Sequence, residues 1–96
     1  MSDTPELKLA RCRELIDDLD RRLVALLNER TAIVEQIGNA KKEAQMAVYE
    51  PKREDAVYAN IAASNQGPLP DDALRRIFER IIDEMRKVQR DRMTVK

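Results

Sequence analysis

From about Leu7 to Ala44 the chain contains no proline and one glycine, Gly38, a run that reads as a single long helix. At about 1.5 Å per residue such a helix extends roughly 55 Å, well beyond the ~30 Å of a small domain, so it cannot bury itself alone. Leu9, Cys12, Ile16, Leu19, Leu23, Leu26, Ile33, Ile37, Ala40 and Ala44 follow one another in alternating steps of three and four, the seam of a helix packed against helices. The seam position between Leu26 and Ile33 is Arg30. A guanidinium there needs a protein carboxylate, an escape to water along its own stem, or an anionic ligand.

The rest of the chain reads as two shorter helices. Thr4 and Pro5 supply a cap and first-turn proline for the long helix, with Glu6 near its positive end, and the helix is expected to fade between Glu43 and Met46. A short connection from Ala47 to Glu50 leads to Pro51, which suits the first position of a second helix with Ala56, Val57, Tyr58, Ile61 and Ala62 on its buried side. Ser64 to Pro68 is a run of cap, turn and breaker residues. Pro70, Asp71 and Asp72 then open a third helix whose apolar positions Leu74, Ile77, Phe78, Ile81, Ile82, Met85 and Val88 keep a period near 3.6. The charged tail from Arg90 to Lys96 is expected to fray. The reading is therefore an all-α fold: one long N-terminal helix and two shorter ones, in a single domain over residues 1–96 with its core at about 7–90. A second copy lying antiparallel across a two-fold axis completes the unfinished seam, which predicts an intertwined homodimer.

Composition excludes several classes of function. Eighteen basic residues balance eighteen acidic ones, so net charge makes no case for nucleic acid or a membrane surface. There is no histidine and one cysteine, so zinc and haem lose their usual ligands, no intrachain disulfide can form, and a reducing cytoplasm fits best. No metal or cofactor is expected. The first six residues carry no apolar targeting core, and no stretch approaches membrane-spanning length.

Covalent catalysis lacks its parts, because no nucleophile stands with a base and no glycine-rich phosphate loop is present. What remains are polar residues on faces that should be apolar. Lys41 follows Arg30 by eleven residues, which returns it to within roughly 20° of the same face about 16 Å along the axis. Gln89 continues the series Phe78, Ile82, Met85, and Arg53 and Glu54 occupy the first turn of the second helix. Each has an ordinary explanation: a solvated lysine, an amide bonded to a neighbouring helix, a first-turn salt bridge. Together Arg30, Lys41 and Gln89 can converge on one cavity between three helices. Arg13 lies 28 residues before Lys41, about 42 Å away along one helix, so the two cannot share a small ligand within one chain. A two-fold axis near Leu23 or Val24 carries the partner's Arg13 to the level of residue 35; the alternative is an exposed Arg13 paired with Asp17.

The ordered set Arg13, Ile16 to Asp20, Leu26 to Arg30, Ile37 to Lys41, Val48 to Glu54 and Gln89 resembles the all-helical AroQ-type chorismate mutases over nearly the whole chain, from about Leu9 to Arg90. The resemblance implies an intertwined homodimer that converts chorismate to prephenate on the route to phenylalanine and tyrosine. It implies that Arg30 and the partner's Arg13 grip the two substrate carboxylates, and that Lys41 and Gln89 donate to the ether oxygen of the breaking bond. Glu54 would accept from the ring hydroxyl, Glu50 would help place that end, and Arg53 would line the same wall. Two residues depart from the pattern: Glu50 stands where the family often has Asp, and Met85 where some members have Ser near a substrate carboxylate. A pericyclic rearrangement needs no nucleophile, metal or cofactor, only a compact conformer and a stabilised ether oxygen, which agrees with what the chain lacks.

Two other readings compete: an isochorismate-pyruvate lyase of the same fold, against which the Val48 to Glu54 segment leans, and a non-catalytic helical dimerisation or regulatory module. A free-standing enzyme is expected at least as readily as the mutase part of a fused one.

Overall fold

The computed structural model describes residues 4–94. Three helices follow in order, α1 (Pro5–Ala44), α2 (Pro51–Ser64) and α3 (Asp71–Thr94), with no strand among the described residues. The residues fall into two units, one ending at Ala32 and one beginning at Ile33.

The N-terminal unit is helix alone. Its start is fixed as the sequence suggests: Thr4 Oγ1 accepts from the Leu7 backbone N–H at 3.1 Å, and Pro5 occupies the first turn, where a missing N–H costs nothing. Leu7, Leu9, Leu15, Ile16, Leu19, Leu23, Val24, Leu26 and Leu27 are all exposed on it. A solvated apolar stripe of this length is a surface awaiting a partner.

In the second unit, α2 packs on α3 and the last turns of α1 meet α3. The line of α1 buried there is Val34, Gly38 and Lys41, spaced four and three apart, while Ile33, Ile37, Ala40 and Ala44 of the expected seam remain exposed. The chain's own packing uses the line one residue further round, and the seam itself stays open. Gly38 explains the choice. A Cβ at that position would lie 3.2 Å from Arg92 Cβ and 3.3 Å from both Cα and O of Gln89, so only glycine admits the α3 backbone this closely.

Helix α1 ends in a turn that sets up the site. Gln45 adopts φ 58°, its N–H bonds to Lys42 O at 3.2 Å, and Met46 N–H bonds to Lys41 O at 2.8 Å. That pair of bonds is a Schellman motif, which reverses the chain over the last turn of the helix. Between α2 and α3, Asn65 organises the turn: its Nδ2 donates to Leu69 O and Asp71 Oδ1, and its Oδ1 accepts from the N–H of Gly67, whose φ is 74°. The Gly67–Pro68 peptide is cis.

Two expectations are corrected. On α2, Val57, Tyr58 and Ile61 are half-buried, but Ala56 and Ala62 are exposed, because only a narrow strip of this helix meets α3. The tail does not fray at Arg90: α3 runs on through Thr94, held by an ion pair between Arg92 and Glu35 of α1. The final two residues of the expected frayed tail lie outside the described residues, as do the first three of the chain. No described helix is long and apolar enough to cross a membrane.

Candidate active site

The centre of the site is Lys41, a charged side chain only 5% exposed. Burying an ammonium is costly unless each of its three donors finds an acceptor. All three do. Lys41 Nζ donates to Gln89 Oε1 at 2.8 Å, to Val48 O at 2.9 Å and to Glu50 Oε1 at 2.7 Å. Each partner arrives for a local reason. Gln89 comes from the inward face of α3 at the point where Gly38 lets that helix approach. Val48 and Glu50 come from the connection that the Schellman turn at Gln45 folds back along α1. Glu50 is the N-cap residue of α2, yet it makes no side-chain cap bond, leaving its carboxylate for Lys41.

The orientation of Gln89 has a chemical consequence. With its carbonyl end on Lys41, its NH2 group is the end able to donate to a ligand. An ammonium and an amide donor thus sit side by side.

Glu54, one turn into α2, is held by a residue that sequence reasoning missed. Arg86 of α3 donates Nε to Glu54 Oε2 at 2.8 Å and Nη2 to Glu54 Oε1 at 2.5 Å, a two-point fork. Arg86 is itself anchored by Asp83 at 2.7 Å, and its guanidinium lies 5.5 Å from the centroid of the Tyr49 ring. The fork holds the Glu54 carboxyl below the usual carboxylate range; the Arg86 hydrogen bonds are the largest cause, with Lys41 adding a smaller attraction against the opposing effect of burial. A signal for Arg86 existed in the sequence. It lies four residues after Ile82 and three before Gln89, on the inward face of α3 beside Met85.

The structure therefore brings together Lys41, Glu50 and Gln89, with Glu54 close enough to feel the Lys41 charge. Met85 is buried on α3 and Arg53 is exposed in the first turn of α2. Arg13 and Arg30 belong to the N-terminal unit, where Arg13 is exposed and Arg30 half-buried. Beside the Lys41 cluster an open, mainly apolar cavity of about 440 Å³ is lined by Met46, Ala47, Tyr49, Glu50, Pro51 and Lys52, so Glu50 forms part of its wall.

Comparison with known proteins shows the family. Residues 12–90 match the family described as chorismate mutase type II. The chain is 40% identical over 90 residues to a bifunctional chorismate mutase/prephenate dehydratase of Neisseria gonorrhoeae, an alignment covering 94% of this chain but 24% of that protein. It thus spans about a quarter of the length of its bifunctional relatives. Among solved structures, a chorismate mutase from Thermus thermophilus superposes with a TM-score of 0.84 at 31% identity, covering 86% of this chain and 94% of that one. The Helicobacter pylori chorismate mutase in complex with prephenate superposes with a TM-score of 0.83 at 28% identity, covering 92% and 97%. An all-helical chain whose family match runs from Cys12 to Arg90 and takes in Lys41, Glu54 and Gln89 belongs to the chorismate mutase type II family.

Proposed function

We propose that residues 1–96 form a single chorismate mutase domain that rearranges chorismate to prephenate. The observation that carries this reading is the buried Lys41 ammonium beside the Gln89 amide, in a chain with no histidine and no paired nucleophile. In a Claisen rearrangement the C–O bond of the ether breaks as a C–C bond forms, and negative charge grows on the ether oxygen. Lys41 Nζ and Gln89 Nε2 are donors suited to that oxygen, and losing such a donor typically costs about 3 to 4 kcal/mol of transition-state stabilisation. The ring hydroxyl donates to Glu54, with Glu50 and Arg53 on the same wall, and Met85 stands near a substrate carboxylate. Arg30 binds one substrate carboxylate with its planar fork, and the partner's Arg13 binds the other.

The second copy is part of the proposal. The exposed stripe from Leu9 to Leu26 and on to Ile37 is the surface that a two-fold partner would cover, and the spacing of Arg13 from Lys41 lets Arg13 reach the substrate only in trans. A reducing cytoplasmic location agrees with an exposed, unpaired Cys12.

Two measurements test this reading. Chorismate loss, with the products identified, should yield prephenate; release of pyruvate from isochorismate, or no turnover, would replace the reading with the lyase or with a non-catalytic module. Then Arg13→Ala and Lys41→Ala chains, each inactive alone, are unfolded and refolded together. Random pairing makes half the dimers mixed, each with one intact site, so about a quarter of wild-type activity should return. Failure of the mixture to recover activity would remove the trans arrangement.

A further inference from the structure

We propose that Arg86 is a positioning residue for the reaction: its fork on Glu54, braced by Asp83 and Tyr49, fixes both carboxylate oxygens so that Glu54 presents an oriented acceptor to the substrate's ring hydroxyl. The geometry carries the assignment. A lone carboxylate on the first turn of a helix rotates about its terminal bonds, and each orientation offers a different lone pair. Two donors from one rigid plane, at 2.8 and 2.5 Å, remove that freedom. The fork uses one lone pair on each oxygen and leaves another on each for an incoming hydroxyl. Arg86 cannot easily drift, because Asp83 takes Nη1 at 2.7 Å and the Tyr49 ring stands 5.5 Å from its guanidinium carbon. The pair is substantially shielded from water, with Glu54 17% and Arg86 29% exposed. Arg86 also ties three parts of the site together: α3, the first turn of α2, and the connection that carries Tyr49, Val48 and Glu50 to Lys41.

The electrostatics point the same way. The charged and titratable groups around Glu54 are Lys41 from α1, Arg86 and Asp83 from α3, and Tyr58 further along α2. Arg86 dominates them and lowers the Glu54 pKa, so the carboxylate stays an acceptor into acid that would protonate an ordinary glutamate. Removing the guanidinium lets that pKa rise, which moves the acid limb of activity to higher pH.

The inference rests on Glu54 being the acceptor for the ring hydroxyl. The test uses the full chain with Arg86→Gln and Arg86→Lys, following kcat and KM for chorismate from about pH 4 to pH 8 together with the melting temperature. In Arg86→Gln, kcat/KM should fall about tenfold and the acid limb should move up into the ordinary carboxylate range. Arg86→Lys keeps the charge without the fork, so its acid limb should stay near wild type while kcat/KM still falls several-fold. A folded Arg86→Gln with the wild-type rate and acid limb, changed only in melting temperature, would make Arg86 structural and overturn the proposal. Should Arg86→Gln fail to fold, Arg86→Lys decides, because wild-type kcat/KM in that variant shows that the fork is dispensable. Absence of chorismate turnover in the wild type would overturn the function and this inference together; turnover with indifferent Arg86 variants would defeat this inference alone.

Discussion

Gly38→Ala sets two known effects against each other. Alanine is favoured over glycine in a helix interior by about 1 kcal/mol, so on propensity alone the change stabilises α1. The new methyl carbon, however, meets Arg92 Cβ at 3.2 Å and Gln89 Cα and O at 3.3 Å. None of these can rotate aside, since two are backbone atoms and the third is fixed to backbone. Helix α3 must move by a few tenths of an ångström. Overpacking of this kind costs about 1 to 3 kcal/mol, which outweighs the propensity gain and leaves a net loss near 1 kcal/mol. For a domain of this size that lowers Tm by about 4 to 8 °C, measured at fixed protein concentration because oligomerisation shifts Tm. The activity loss should exceed what stability explains. The displaced residue is Gln89, whose side chain holds Lys41, and a 1 Å misplacement in an active site can cost about a hundredfold, so a smaller shift should reduce kcat/KM by about three- to tenfold. A variant with unchanged or higher Tm and wild-type kcat/KM would refute the claim that Gly38 sets the distance between α1 and the donor pair.

Lys41→Met should leave a folded protein and reduce kcat by about 10² to 10³, since Glu50 at 39% exposure can turn to water while the proposed transition-state donor is lost; circular dichroism and steady-state kinetics check both parts. Glu54 has its pKa lowered by folding, so its pairing with Arg86 contributes stability that is full above the ordinary carboxylate range and is lost as pH falls through the depressed value. The stability gap between wild type and Glu54→Gln in urea melts should therefore be about 1 to 2 kcal/mol near pH 7 and shrink in acid. Gln45→Gly should raise stability by about 0.5 to 1 kcal/mol, because a residue with a Cβ at φ 58° carries the left-handed cost that glycine avoids, and kcat should not change.

Local signals in the sequence were enough to bound the elements. Thr4 with Pro5, Pro51 after Glu50, and the Ser64 to Pro68 breakers are readable because capping and turn chemistry act over a few residues. Packing across the chain was less legible. The period of three and four identified an inward-facing α1, but two adjacent lines of that helix are apolar, and only the Gly38 contact with α3 decides which one the chain buries for itself. Lys41 shares a face with Arg30 in the sequence; the structure buries it on the α1 line that meets α3 and also under the return of the chain after Gln45, and that return depends on one backbone conformation. Arg86 and Arg92 go unremarked in the sequence because their carboxylate partners, Glu54 and Glu35, are 32 and 57 residues away. Nothing local marks such a pair, although the place of Arg86 between Ile82 and Gln89 was a usable clue.

The Lys41 cluster carries a final consequence for binding. An ammonium has three hydrogens, and Val48 O, Gln89 Oε1 and Glu50 Oε1 already take all of them. For the ether oxygen to receive one, an acceptor must withdraw. Val48 offers a backbone carbonyl fixed by the connection, and Gln89 is set by the α3 contact at Gly38. Glu50 is 39% exposed and makes no cap bond that would hold it, so it is the group expected to yield. On the proposed function, the cation stays compensated until the substrate dianion replaces the carboxylate, and binding then breaks the Lys41–Glu50 pair. At this exposure solvent screening limits such a pair to about 0.2 to 1 kcal/mol. Glu50→Gln, which preserves shape but removes the charge, should accordingly lower KM by up to about fivefold with kcat little changed. The gain should shrink as salt rises from about 50 to 500 mM, because screening weakens the same attraction in the wild type. A KM that rises instead would show that Glu50 contributes more by touching the substrate than it costs by occupying Lys41.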